Sequence, residues 1–182
     1  TRAEIDGAVF AVEFSSAMSS EAPDLAQRLV AGASSAALLL ETSVGDDGGL
    51  SFELAFALQS DEALSQSECS APPSFAPPTG SWLDMETDSS FVDLSGGELI
   101  VPVDDLLLEF EHWALVGDFA PEGSAFAGVE FSGELRAASL GLSSEAAACA
   151  FAHDSLGLNC APCLYDPEAS CISVALTGLS GE

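Results

Sequence analysis

The nine residues Leu50-Ser51-Phe52-Glu53-Leu54-Ala55-Phe56-Ala57-Leu58 alternate with a period of two. Leu50, Phe52, Leu54, Phe56 and Leu58 fall on one face and Ser51, Glu53, Ala55 and Ala57 on the other. Side chains alternate across a strand and recur every 3.6 residues on a helix, so this stretch reads as a half-buried β-strand. Immediately upstream, Ala37 to Val44 has strand composition. The run Gly45-Asp46-Asp47-Gly48-Gly49 between the two supplies the positive-φ residues that a hairpin turn needs. The two segments are expected to pair antiparallel.

Outward from this hairpin the same pattern recurs. Strands are expected at Ile5 to Ser15, Ser81 to Thr87, Glu98 to Val103, Asp105 to Ala114, Ala125 to Ala137 and Cys171 to Thr177. Within the segment from Asp105, Leu106, Leu108 and Phe110 should face inward and Glu109 and Glu111 should face water. In the last strand Ile172, Val174 and Leu176 should point in, against Ser173, Ala175 and Thr177. Two short helices interrupt the strands. Pro23 to Ala31 carries Pro in its first turn and Gly32 as a stop, and Ser143-Ser144-Glu145 caps an Ala-rich run to about Ala152. The Pro-rich run from Ser65 to Gly80 cannot form a central strand or a helix and reads as a long connection. The resulting fold class is mainly β, an antiparallel sandwich or flattened barrel with two short helices, built as a single domain over residues 1–182.

Composition bounds what such a domain can do. Hydrophobic residues make up 48% of the 182, enough for one sizeable core and too many for intrinsic disorder. Thirty Asp and Glu stand against Arg2, Arg28 and Arg136, with no Lys, for a net charge of -27. Binding to nucleic acid or to anionic lipid requires clustered Lys and Arg, so neither partner is expected. No apolar run reaches the length of a membrane span. Thr1, with no leader before it, reads as a processed end.

Cysteines stand at 69, 149, 160, 163 and 171, four of them within the last 34 residues. In an exported chain this Cys-rich segment, 149–171, reads as two disulfides that staple the C-terminal helix, the following loop and the final strand. Four cysteines allow three pairings. Cys149 with Cys160 and Cys163 with Cys171 closes two short loops and is preferred, leaving Cys69 unpaired or joined to another chain. The competing reading uses Cys160-Ala161-Pro162-Cys163 as one zinc knuckle completed by Cys149 and Cys171.

Other chemistry has little local support. There is no phosphate-binding loop, nucleophile elbow, zinc-protease helix or dinucleotide fingerprint. His112 and His153 are isolated and read as structural, and Trp82 and Trp113 as packing residues. Thirty acids offer carboxylate pairs by chance alone. Candidate calcium ligands are Asp46, Asp47, Asp84, Glu86, Asp88, Asp104 and Asp105, on turns and strand ends without the spacing of a 12-residue calcium loop.

Three stretches carry a resemblance: VPVDDLLLEFEHWALVGDFAPEGSAFAGVEFSGELR (101–136), CAFAHDSLGLNCAPC (149–163) and SCISVALTGLSGE (170–182). Over roughly the C-terminal half, Ile100 to Glu182, the chain resembles uncharacterised exported proteins and lipoproteins of myxobacteria and related bacteria. The resemblance implies export, disulfides and β structure, and carries over no active site. The expectation is therefore a non-catalytic envelope or extracellular domain, periplasmic or secreted. Its role would be structural or partner-binding, as a subunit of a larger surface assembly built by strand addition. The alternatives are a carrier of a small apolar ligand or lipid between the sheets and, third, a carboxylate-based hydrolase.

Overall fold

The computed structural model describes residues 6–13, 36–44, 50–60, 63–66, 74–75, 83–84, 89–103, 106–120 and 125–181. The fold is mainly β, and among the described residues every strand pair is antiparallel. The strands are β1 (Val9–Glu13), β2 (Ala36–Val44), β3 (Leu50–Ser60), β4 (Ala63–Gln66), β5 (Ser74–Phe75) and β6 (Leu83–Asp84). They continue with β7 (Ser89–Gly96), β8 (Leu99–Val103), β9 (Leu106–Phe119), β10 (Phe126–Arg136), β11 (Cys160–Pro162) and β12 (Ser170–Gly181). A 3-10 turn, Ala137–Leu140, and one helix, α1 (Glu145–Leu156), lie between β10 and β11.

The expected hairpin is present. β2 and β3 pair at nine consecutive positions, from Ala36 opposite Leu58 to Val44 opposite Leu50, with no break in register. Phe52 is buried and Glu53 exposed, as their alternation requires. The path through the sheet runs β4-β3-β2-β1-β12-β10-β9-β7-β6, with β5 beside β3, β8 beside β9 and β11 beside β12.

That path is strongly curled. β1 and β9 lie three strand spacings apart, roughly 14 Å in a flat sheet, yet the rings of Phe10 and Phe119 approach to 4.9 Å between centroids. Among the described residues β1 meets β12 through Val12–Gly181 and Glu13–Ser180. Folding over brings Val12, Leu38, Leu40 and Phe52 from one half into the same apolar cluster as Trp113, Leu115, Phe126 and Leu176 from the other. This shared core is the sandwich-like closure expected from the alternation.

Several sequence expectations are corrected. The connection over 65–80 holds two short strand pieces: β4 ends within it, and Ser74–Phe75 pairs with β3 between Pro72-Pro73 and Pro77-Pro78. Pro confines such a strand to an edge, where no ladder donor is lost. β9 runs five residues past Ala114, because Gly117 leaves the space that the Phe126 ring fills; a Cβ there would lie 2.7 Å from the ring. Helix α1 continues four residues past Ala152. Ser144 caps it by accepting from the Ala147 N–H at 3.2 Å, and Gly157, at φ 69°, stops it in the left-handed conformation. Its Ala148, Ala152 and Leu156 pack into the core. The second expected helix, Pro23 to Ala31, lies outside the described residues, as does Cys69.

Three long strands keep their apolar faces inward only by bulging. β10 and β12 slip register around Ala127-Gly128 and Thr177-Gly178, with φ of 62° and 75° at the two glycines. β9 slips against β10 between Phe110 and Trp113, where it holds one residue more than its partner. Leu108 and Phe110 are buried before this bulge, and Trp113, Leu115 and Phe119 after it, so the alternation changes phase at Glu111-His112.

Candidate functional site

On its other edge β9 forms one long hairpin with β7 and β8. Phe91 lies opposite Asp118, Gly96 opposite Trp113, Leu99 opposite Phe110 and Val103 opposite Leu106, all in a single register. β7 and β8 are thus one strand interrupted at Gly97-Glu98, level with Glu111-His112 on β9. The ladder opens on one side at the position where β9 bulges on the other. Close packing requires the neighbouring glycine: a Cβ on Gly96 would lie 2.7 Å from the Trp113 indole.

The outer surface at this opening is covered by the segment between Cys163 and Cys171. Their disulfide pins both ends of the segment, with Cα atoms 4.9 Å apart. Between the ends, the Leu164 N–H donates to Glu134 Oε2 at 3.0 Å, and Tyr165 sets its ring against that of His112 at 6.0 Å and 67°. Arg136, last residue of β10 and opposite Cys171 on β12, joins the layers. Its Nε donates to Glu111 Oε1 at 2.7 Å, its Nη2 donates to the same oxygen, and Nη2 reaches Asp166 Oδ2 at 3.3 Å. The hydrogen bond to Glu111 raises the Arg136 pKa above its ordinary value; burial opposes this, and the charges of Glu111, Asp166 and Glu109 add to the rise.

Glu111 therefore does not face water. Its side chain is 9% exposed, beneath a segment more than fifty residues away in sequence. Glu111 Oε2 is buried with no hydrogen-bond partner among the described residues. Leu106, expected to point inward, is 38% exposed at the hairpin end, with its Cδ2 against Gly141 at the end of the 3-10 turn.

Together Gly97, Glu98, Glu109, Phe110, Glu111, Arg136 and Tyr165 line an open recess of about 290 Å³. Glu98 and Tyr165 are exposed and Glu109 is half-buried. Beside the recess, Ile100 lies opposite Glu109, and Leu107 shares the outward face of β9 with Glu109. Ile100 is 43% exposed and Leu107 61%. Among the described residues the free edge of β8 pairs with no strand. The arrangement offers carboxylates, one guanidinium, an exposed phenol ring and apolar flanks.

The cysteine pairing is the preferred one, Cys149–Cys160 and Cys163–Cys171. The two sulfurs of the knuckle belong to different disulfides, which displaces the four-thiolate zinc reading. A carboxylate oxygen of Glu111 also lies within 4.8 Å of the Cys163 and Cys171 sulfurs. Those sulfurs are bonded to each other and have no thiolate to offer.

His112 is exposed on the bulge, His153 is exposed with Nδ1 2.9 Å from Asp154 Oδ1, and Trp113 is wholly buried. Of the calcium candidates, Asp84 sits at the end of β6, paired with Ser89. Asp46, Asp47, Glu86, Asp88, Asp104 and Asp105 lie outside the described residues. The residues that line the recess were not singled out as a site by the sequence. The one available signal was the adjacent pair Phe110-Glu111 at the place where apolar alternation changes phase.

No family model, curated protein or solved structure matches this chain. Among the described residues, no helix is long and apolar enough to cross a membrane.

Proposed function

We propose that this chain is a non-catalytic extracytoplasmic β-domain of the cell envelope or its surroundings that binds a protein partner through the β8–β9 hairpin. The observation that carries this reading is the hairpin end itself. It joins an unpaired strand edge among the described residues to the exposed side chains of Ile100, Leu106 and Leu107. Exposed strand edges are templates for an added strand, and clustered apolar side chains at such an edge favour an interaction surface over a solvated one. Pro102, on β8, is a residue that open edges tolerate. Two disulfides and the resemblance over Ile100 to Glu182 support an oxidising, exported setting.

Charge selects the partner. A surface at -27 repels a second copy of itself and attracts a basic protein. The test is a photoreactive benzoylphenylalanine placed at Leu107 in cells that make the protein, compared with the same probe at exposed Glu41 on β2. A discrete adduct from position 107 with one basic protein, absent from position 41 and lost on Ile100→Asp, is expected. Equal adducts from both positions, or none from 107, would overturn the reading.

A further inference from the structure

We infer that the recess between the β8–β9 hairpin and the Cys163–Cys171 segment seats a lysine or arginine side chain of the bound partner. This rests on the partner-binding reading above and assigns the chemistry of its central contact. Three carboxylates, those of Glu98, Glu109 and Glu111, line the recess, and the single cation on its wall, Arg136, is held by Glu111 and by Asp166 behind it. The side chains of Glu98 and Glu109 make no hydrogen bond or ion pair among the described residues, and Glu109 acts on Arg136 only through its charge, which leaves the recess with a net negative charge.

Two further observations separate this recess from an ordinary acidic surface. Glu111 is nine-tenths buried and Oε2 has no donor, so its desolvation is compensated through Oε1 alone. A positive charge in the recess lowers the energy of that carboxylate through space, as burial strengthens such interactions. Tyr165, 65% exposed on the recess wall, presents an aromatic ring of the kind that attracts ammonium and guanidinium groups.

Size and surroundings favour a side chain over a free small molecule or a bare ion. A volume of about 290 Å³ sits at the bottom of the range for small-molecule sites, about 300–1,000 Å³. A calcium ion requires six or more oxygens, whereas Arg136 already engages one of the three carboxylates that line the recess. Ile100 and Leu107 flank the opening, matching a strand in which one cationic residue lies between apolar neighbours.

The probes are the blocked pentapeptide acetyl-Val-Thr-Arg-Thr-Val-amide and its Arg→Gln counterpart, titrated into the full chain at 0.15 M NaCl and followed by amide chemical shifts. The Arg peptide should shift Gly97, Glu109 and Tyr165, and the Gln peptide should bind at least fivefold more weakly. The Glu98→Gln/Glu109→Gln pair should weaken the Arg peptide about tenfold, and Tyr165→Ala severalfold. Glu41→Gln/Glu130→Gln, which removes equal charge from exposed positions elsewhere, should change it less than twofold.

Equal binding of both peptides, or equal weakening by the two charge pairs, would overturn the assignment by reducing it to the general field of the protein. Saturation of the same signals by millimolar calcium without a response to the Arg peptide would overturn it in favour of a metal. An adduct at Leu107 combined with no response to the Arg peptide would overturn this assignment and leave the docking face standing.

Discussion

The β2–β3 hairpin and the β7–β8/β9 hairpin are built to different rules. In the first, nine cross-strand pairs follow one another without interruption. The second keeps a single register between its strands but is broken at Gly97-Glu98 and bulged at Glu111-His112 against β10. A regular ladder needs only alternating side chains. A bulged one re-aims a side chain, and here it leaves a carboxylate outside the apolar core but beneath a covering segment. What the second hairpin loses in regularity it turns into a recess with charge in it.

The contrast can be pressed first through the disulfides, which lie on one side of it. The disulfides Cys149–Cys160 and Cys163–Cys171 close short loops with sequence separations of 11 and 8. Replacing either pair by Ala should cost about 2–3 kcal/mol by chemical denaturation, chiefly through the unfolded chain. Hydrogen exchange should rise in β11, β12 and the covering segment while the β2–β3 amides keep their order of protection. A loss spread evenly over both hairpins would break the distinction.

Two adjacent glycines provide the next test. Gly96→Ala places a methyl group 2.7 Å from the Trp113 ring, whereas at Gly97 the nearest atom is the Glu111 carbonyl oxygen at 4.0 Å. The first substitution should destabilise by about 1–3 kcal/mol through overpacking, and the second by less than about 0.5 kcal/mol. Equal costs would mean that the hairpin opens somewhere other than Gly97-Glu98.

The smallest effect belongs to the regular hairpin. Glu41 and Glu53 face each other across β2 and β3, and both are exposed. Like charges directly opposite repel, so Glu53→Lys should stabilise by about 0.2–1 kcal/mol at low salt, and less at 1 M NaCl. No gain at low salt would argue against the unbroken register.

The difference between the hairpins also explains what could be read in the chain. Leu50 to Leu58 announces its strand because pairing and alternation are local. Ile172, Val174 and Leu176 were equally legible, and all three are buried. Short loop length favours the observed cysteine pairing among the three possible ones without selecting it. Glu111 was misplaced because its cover is formed by residues 163–171, and no period in the sequence of β9 reports a segment that arrives from elsewhere. β7 was missed because Ser89, Ser90, Ser95 and Gly96 dilute its apolar residues. The strand expected to end at Ala114 runs on to Phe119, through Gly117, whose missing side chain leaves the space that the Phe126 ring fills. The recess was invisible for the same reason as Glu111: three of its walls meet only after β8, β9 and the Cys163–Cys171 segment have folded together.

The burial of Glu111 beneath the one-third-exposed Arg136 is the claim on which the recess depends, and a double-mutant cycle with Glu111→Gln and Arg136→Met measures it directly. The structure predicts a coupling energy of about 1.5–3 kcal/mol that changes little between 0.05 and 0.5 M NaCl, as for a charge-assisted contact shielded from solvent. A coupling below about 0.5 kcal/mol that fades with salt, the mark of an exposed pair, would put Glu111 back in water and contradict the account.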